Sequence, residues 1–329
     1  MIELSVALIT YNSENYIVET LESLVKQKCT FKYEIVVGDD CSTDNTFEII
    51  QSFNDKYPSI FNIQKNNIQL GIMANFVNTI TRCQGKYVFN FDGDDVVKSQ
   101  NAFQKLVDTF NKNPNIGFVD SGYDKYFVSQ NLTKSYVNKK TIRASKSDYK
   151  NYVFLGQIIP IGTCFNRELL LKYVDFKTYV DKKITIEDYP TLVDMVANSD
   201  FARIDESLFT YRIHNKSYSF NNGLERYLFL REQMLSLFNY FKIKYHFNKQ
   251  ICEIYEQKHY KTLLHIAGSY QKKTLGKEVF SKIKSKTIYD IIHYLASQYK
   301  GVRNLAKIRK FKNSKMQQIR LFFNFKRAS

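Results

Sequence analysis

The chain has 329 residues, 44% hydrophobic and 24% charged, with 24 Tyr, 26 Phe, no Trp and only 4 Pro. That is ordinary globular composition, long enough for one large domain and a smaller one, and it excludes a Pro-rich linker protein. The net charge of +16 is confined to residues 222–329, where 23 Lys and Arg face 6 Asp and Glu, so the two parts are expected to do different work.

Leu4–Ile9 reads as a buried strand ending at polar Thr10-Tyr11-Asn12. No basic leader precedes it, so no signal peptide is expected. Residues 13–27 place Tyr16, Ile17, Leu21, Leu24 and Val25 at helical spacing, with Asn12 or Ser13 as the cap. Tyr33–Gly38 is a second strand. It ends in Asp39-Asp40, after which Cys41–Thr46 opens a helix running to about Lys56. Asn62–Lys65 is a third strand, Asn75–Thr81 a helix, and 86–91 another strand. This alternation predicts an α/β fold, a mostly parallel sheet with helices on both faces. Ligands of such sheets sit at the carboxyl ends of the strands, where Asn12, Asp39, Asp40 and the Asp92–Asp95 cluster all fall.

Beyond residue 110 the pattern loosens. Gly117–Asp120 reads as a strand, 123–147 as polar and irregular, and Ile158–Phe165 as a strand or loop leading into a helix over 167–173. Glu187-Asp188 opens a further helix, and Ser207–Tyr211 is strand-like. From Leu224 the chain is nearly all helical. Five cysteines form no C-x-x-C pair, which predicts reduced thiols, and no apolar run approaches the roughly 18–20 residues that span a bilayer.

Asp92-Gly93-Asp94-Asp95 sets three carboxylates in four positions at a strand end. Carboxylates so close repel unless a cation relieves them, and a hard divalent metal gripping a diphosphate is one relief; a solvated Asp-Gly turn is the plain alternative. Asp39-Asp40 reads either as a helix cap or as hydrogen-bonding groups for a uracil-like edge and a ribose. Asn67, Gly71 and Asn75 read as a Gly turn and cap in isolation. Glu187-Asp188 suits a helix start, and equally a general base taking a hydroxyl proton, with Asp188 favoured. His214, a lone histidine after a strand, is either structural or the ligand that completes a carboxylate-held metal. The tail from Lys307 to Arg327 mixes bases with aromatics, which suits an anionic membrane surface, a nucleic acid, or a solvated basic helix.

With these residues laid out, residues 1–220 resemble the family-two, GT-A fold inverting glycosyltransferases. The resemblance rests on Thr10-Tyr11-Asn12, Val36–Thr46, Asn67 with Gly71 and Asn75, Phe91–Asp95, Ile186–Tyr189 and Tyr211–His214. It implies a Rossmann-like GT-A sheet over 1–221, the nucleotide-sugar-binding and catalytic domain, followed by a basic helical region over 222–329. It implies nucleoside contacts by Thr10, Asn12, Asp39 and Asp40, with Asn67, Gly71, Asn75 and Gly93 also in the donor site. It places Asp92 and Asp94 in the D-x-D element, Asp94 as the direct ligand of Mn²⁺ or Mg²⁺, His214 beside the metal or diphosphate, and Asp188, with Glu187, as the base. Two positions depart from the family pattern: Gly38 stands where an apolar residue is usual, and Cys41 where Gly is usual.

The expected reaction is metal-dependent transfer of a hexose-type sugar from a UDP-linked donor to a hydroxyl, with inversion. The expected acceptor is a lipid-linked glycan of surface polysaccharide, reached from the cytoplasmic face of the membrane, with Gln157–Thr163 along its pocket. Two rivals remain. A sugar-nucleotide nucleotidyltransferase needs a Gly-rich, basic N-terminal loop, and residues 6–26 contain no Gly. A non-catalytic polyanion-binding protein would need only the basic third, and its binding would weaken steeply with salt.

Overall fold

A computed structural model describes residues 1–136, 144–158, 161–215, 217 and 223–304. The chain falls into two compact units, Met1–Asn221 and Asn222–Ser329.

In the first unit, β1 (Leu4–Thr10), β2 (Tyr33–Asp39), β3 (Phe61–Lys65) and β4 (Tyr87–Asp92) pair in parallel in the order β3-β2-β1-β4. Every residue of β1 is buried, which is why a continuous apolar run suits it. Past β4 the sheet continues through β8 (Cys164–Asn166), β6 (Ile116–Phe127), β9 (Asp200–Ile213) and β5 (Val96–Val97), with β7 (Leu132–Tyr136) paired to β6. β8 runs antiparallel to both β4 and β6, while β6 and β9 are parallel. The sheet is therefore mixed, with its long ladders parallel. Around it lie α1 (Ile17–Val25), α2 (Thr46–Lys56), α3 (Ile72–Arg82), α4 (Ala102–Lys112), α5 (Lys146–Phe154), α6 (Arg167–Tyr173), α7 (Phe176–Asp181) and α8 (Asp188–Asn198). Phe89 packs at the centre of the core, its ring 4.9–5.8 Å from those of Phe91, Phe103 and Phe209.

Three expectations change. The cap of α1 is Tyr16, without a side-chain bond, and the Asn12 and Ser13 side chains are engaged elsewhere: Asn12 Oδ1 accepts Thr43 N–H at 2.8 Å, and Ser13 Oγ donates to the Tyr11 carbonyl at 3.4 Å. Within 123–147, residues up to Tyr136 are an ordered hairpin of β6 and β7, turned by Val128–Gln130 and a left-handed Asn131 (φ 44°). Consecutive polar residues, Asp124-Lys125 and Thr133-Lys134-Ser135, break the alternation that would mark its strands. Finally, only Cys164–Asn166 of the Ile158–Phe165 stretch and its continuation is strand. Gly162, at φ +68°, breaks the extended run, and Ile159 and Pro160 lie outside the described residues.

Of the two departures from the family pattern, Gly38 has a local cause, and Cys41 runs against its backbone. A Cβ on Gly38 would fall 1.9 Å from Thr79 Oγ1 and 2.9 Å from Asn75 Oδ1, so α3 packs directly on the β2 backbone. Cys41 sits at φ +66°, a conformation glycine adopts more readily. Gly38→Ala is expected to cost about 1–3 kcal/mol through overpacking, and Thr79→Ala in the same chain to recover part of it. Denaturant midpoints of the single and double variants measure this; equal midpoints for Gly38→Ala and the parent would refute the contact.

The second unit holds α9 (Leu224–Lys244), α10 (Lys249–Tyr270), α11 (Lys273–Lys282) and α12 (Ile288–Gln298). Phe238 of α9 stacks on Tyr255 of α10 at 3.6 Å. Leu264, Val279 and Ile283 form the buried centre of the other three helices. Close crossings use glycine: a Cβ on Gly268 would fall 2.7 Å from the His293 carbonyl oxygen, and one on Gly276 would fall 2.1 Å from Ser297 Oγ. Among the described residues no helix is long and apolar enough to cross a membrane. The five cysteines are free thiols.

Candidate active site

The parallel strands deliver their polar ends to one edge. Thr10 pairs with Asp39, and Ile9 with Asp92. Strands are spaced at about 4.8 Å, so Asp39 and Asp92, two strands apart, stand about 10 Å from each other. Thr10 lies on the strand between them, its buried hydroxyl without a hydrogen-bond partner. Gly93 packs against it so closely that a Cβ would fall 2.4 Å from Thr10 Oγ1.

Asp39 is fully buried and accepts both the backbone N–H and the hydroxyl of Ser42. Burial pushes its carboxyl up, and the Ser42 bonds offset this in part. Asn12 takes a left-handed backbone (φ 50°); its N–H donates to Ser42 Oγ and its Oδ1 accepts Thr43 N–H, which ties the 42–43 turn. Asp40 turns away from the strand edge. One of its oxygens accepts Asn66 Nδ2 and Leu70 N–H, and the other accepts Gly71 N–H at 2.9 Å. Asn75 donates to the Gly38 carbonyl at 2.8 Å and accepts from Asn66. Asp40, Gly71 and Asn75 thus build the wall of the 66–75 loop, while Asn67 is exposed on it.

The 92–95 turn is fixed from below. Thr20 Oγ1 bonds the carbonyls of Gly93 (3.1 Å) and Asp95 (2.7 Å), and Arg212 N–H donates to Asp95 Oδ1 at 2.9 Å. One oxygen from each of Asp92, Asp94 and Asp95 lies within 4.8 Å of the others. Asp92 is pushed well above the usual carboxylate range, first by burial, then by Glu187, Asp94, Asp95 and Asp188. Asp95 is pushed up by burial and by Asp94. Buried His214 brings Nε2 to 2.9 Å from Asp94 Oδ2, stacks on Tyr16 at 4.2 Å, and leaves Nδ1 without a partner. Mutually repelling carboxylates, an imidazole on the same spot and an unpartnered ring nitrogen fit a hard divalent cation.

Glu187 and Asp188 open α8 and lie close enough to Asp92 to act on it electrostatically. Burial raises Asp188 to about 6, partly offset by the Tyr189 N–H that donates to Oδ1 at 2.6 Å. Burial, then the Asp188 charge, raises Glu187 to about 7. A cavity of about 20 Å³ adjoins Asp188, lined also by Asn90, Thr163 and Thr191. Asn90 Oδ1 and Thr191 Oγ1 are buried without partners. Such orphaned groups are costly unless a ligand satisfies them.

Asn90, Tyr16 and Arg212 escaped the sequence reading. Asn90 is polar within an apolar strand, two residues before Asp92 and so on the same face, and Arg212 stands likewise two before His214. That period was the available signal. Arg212 is buried, pairs with Glu19 at 3.0 Å and lies over the Tyr16 ring at 5.4 Å, with Nε and Nη2 unpartnered.

A sheet that gathers acidic ends of parallel strands opposite a helix-opening carboxylate pair defines a GT-A glycosyltransferase. The glycosyl transferase family 2 model matches residues 5–173, just over half of the chain, and the chain belongs to that family. Asp188 and His214 lie beyond the matched stretch. An uncharacterised glycosyltransferase of Methanocaldococcus jannaschii is 28% identical over 75% of this chain and 81% of its own length. Poly(ribitol-phosphate) beta-N-acetylglucosaminyltransferase TarS of Staphylococcus aureus is 35% identical over 30% of this chain and 18% of its own. Matches to uncharacterised mycobacterial proteins, at 32% identity, span 32% of their length. Among solved structures, the TarS 1-349 complex with UDP superposes with a TM-score of 0.57, covering 96% of this chain and 92% of that one at 16% identity. A mannosyltransferase of Pyrobaculum calidifontis in complex with GDP-Man and Mn²⁺ gives 0.51, covering 94% and 84% at 13% identity. At such identities the fold alone is shared.

Proposed function

We propose that the chain transfers a sugar from a UDP-linked donor to an acceptor hydroxyl with inversion, in a single displacement. The observation that carries this is the closeness of Glu187 and Asp188 to the Asp92, Asp94 and Asp95 carboxylates, with the Asp39 strand end two strands from Asp92. Asp39, Thr10 and Asn12 hold the nucleoside, with the Asp40–Gly71–Asn75 wall shaping that pocket and Asn67 on its rim. Asp94, with Asp92 and His214, would hold a divalent Mn²⁺ or Mg²⁺, which would supply positive charge beside the departing diphosphate. Asp188 takes the acceptor proton as that oxygen bonds the anomeric carbon and the bond to the diphosphate oxygen breaks. Asn90 and Thr191 orient the acceptor hydroxyl toward it. Thr163, from the stretch expected along the acceptor pocket, lines the same small cavity.

The UDP complex of TarS and its poly(ribitol-phosphate) acceptor favour a UDP-sugar and a surface-polymer glycan or glycolipid acceptor. A screen of UDP-, GDP- and dTDP-sugars with and without Mn²⁺ tests donor and metal together. Release of UDP from a UDP-sugar, dependent on metal, is expected; turnover of GDP- or dTDP-sugars alone would overturn the donor assignment.

The base also sets a pH dependence. Asp188 acts only when ionised, and burial holds it near 6 with Glu187 near 7. Transfer should therefore rise with pH through about 6–7 and level off above. A rate flat from pH 5 to 8 would contradict the assignment.

The basic tail is proposed to hold the enzyme at the inner membrane face, where lipid-linked acceptors reside. Its residues 305–329 lie outside the described structure. Deleting them should move the protein from the membrane pellet to the supernatant, and continued pelleting would count against the idea.

A further inference from the structure

The second unit contains a cavity of about 810 Å³ that the transfer reaction does not use. One wall is a face of α10, where Lys258, Lys261 and His265 stand with Thr262; the opposite rim carries Lys284 and, from α12, His293. A helix normally turns apolar residues inward. The outward side of this unit gathers cations and imidazoles around an open hollow, with Lys258, His265 and Lys284 exposed and Glu253 and Ile254 also lining it.

Two carboxylates neighbour these cations, and Glu253 itself lines the hollow. Asp290 closes the capping box of α12 with Thr287, and Lys261 reaches the same oxygen at 3.3 Å. Glu253 pairs with Lys284 at 3.4 Å. Lys258, exposed at the surface, is pushed below the usual lysine range, first by partial desolvation of its amine and then by Arg231. The His265 and His293 rings meet edge to face, centroids 4.5 Å apart. The rim is held in place, since Gln257 accepts Lys284 N–H at 2.8 Å and donates to the Lys282 carbonyl at 3.2 Å. Over residues 223–304, 15 basic residues face 6 acidic ones, so the surrounding field is positive as well.

We propose that this cavity is a binding site for a phosphate group carried on a small organic moiety. Ammonium and imidazole donors converging on one space recognise tetrahedral oxyanions through charge-assisted hydrogen bonds. The volume lies within the usual range of small-molecule sites, about 300–1,000 Å³, and exceeds what a lone phosphate fills. A phosphorylated sugar or polyol and an anionic lipid headgroup share this chemistry. The proposal does not depend on the transfer reaction.

The test uses the full chain in EDTA, which keeps a metal-dependent diphosphate site out of the reading. One arm titrates inorganic pyrophosphate; the other titrates phosphatidylcholine vesicles with and without phosphatidylglycerol. Lys258→Gln/Lys284→Gln should weaken saturable binding at least about tenfold, as loss of charge-assisted bonds implies. Lys272→Gln/Lys273→Gln, with the same charge change on α11, should weaken it less than about twofold. Exposed Lys284→Gln alone, which leaves the interior of the unit untouched, should show part of the loss. Pyrophosphate binding assigns a soluble phosphate ligand, and binding only to phosphatidylglycerol vesicles assigns a headgroup. Equal losses in the two double variants, or no saturable binding in either arm, would overturn the site.

Discussion

Asp188→Asn is expected to lower sugar transfer by about 10²–10⁴-fold while leaving UDP affinity within a few-fold of the parent. The amide keeps the size of the side chain and can still accept the Tyr189 N–H that fixes it. What it loses is the ability to take a proton. Glu187→Gln should cost less, because Glu187 is the N-cap of α8 and buried against Asn90, whose Nδ2 lies 3.5 Å from Oε1. Single-turnover transfer, with UDP affinity measured separately, distinguishes these outcomes. Parental turnover in Asp188→Asn would move the base to another residue.

Asp92→Asn is expected to act in opposite directions on activity and stability. Its carboxylate faces four others with burial against it, so without a cation the ionised form strains the fold. Neutralising it should stabilise the metal-free protein by about 1–3 kcal/mol at pH 7, a melting shift of roughly 2–4 °C per kcal/mol for a domain of this size. The same change should reduce metal-dependent transfer by about 10²-fold or more. The linkage has a definite sign. Glu187 and Asp188 bind protons more tightly folded than unfolded, so metal-free stability rises as pH falls from about 7 toward the unfolded carboxylate range. Melting curves in EDTA, with transfer rates in Mn²⁺, measure both. A lower melting temperature for Asp92→Asn at neutral pH would contradict the repulsion.

The first half of the first unit was legible because its pattern is local. A buried parallel strand announces itself by an apolar run, and the polar residue at its end falls on the ligand edge, as with Thr10, Asp39 and Asp92. The start of α8 at Glu187-Asp188 was equally plain. The second half was less so. The β6–β7 hairpin carries consecutive polar residues, Asp124-Lys125 and Thr133-Lys134-Ser135, and β8 has only three residues, so neither exceeds the background of an irregular segment. Asp40 illustrates a different limit. Sequence places it beside Asp39, but whether its carboxylate serves a ligand or the 66–71 loop depends on a loop about 30 residues away. Pairs such as Tyr16 with His214, and Asn90 with Glu187, join segments that only the tertiary fold brings together.

Calorimetric titration of UDP into the full chain, with Mn²⁺ and then with EDTA, probes most directly whether the strand-end acids form one donor cradle. Affinity should be at least about tenfold higher with Mn²⁺, and Asp94→Asn should remove that difference. Equal UDP affinity in Mn²⁺ and EDTA, or an Asp94→Asn chain that keeps the full metal effect, would contradict the cradle.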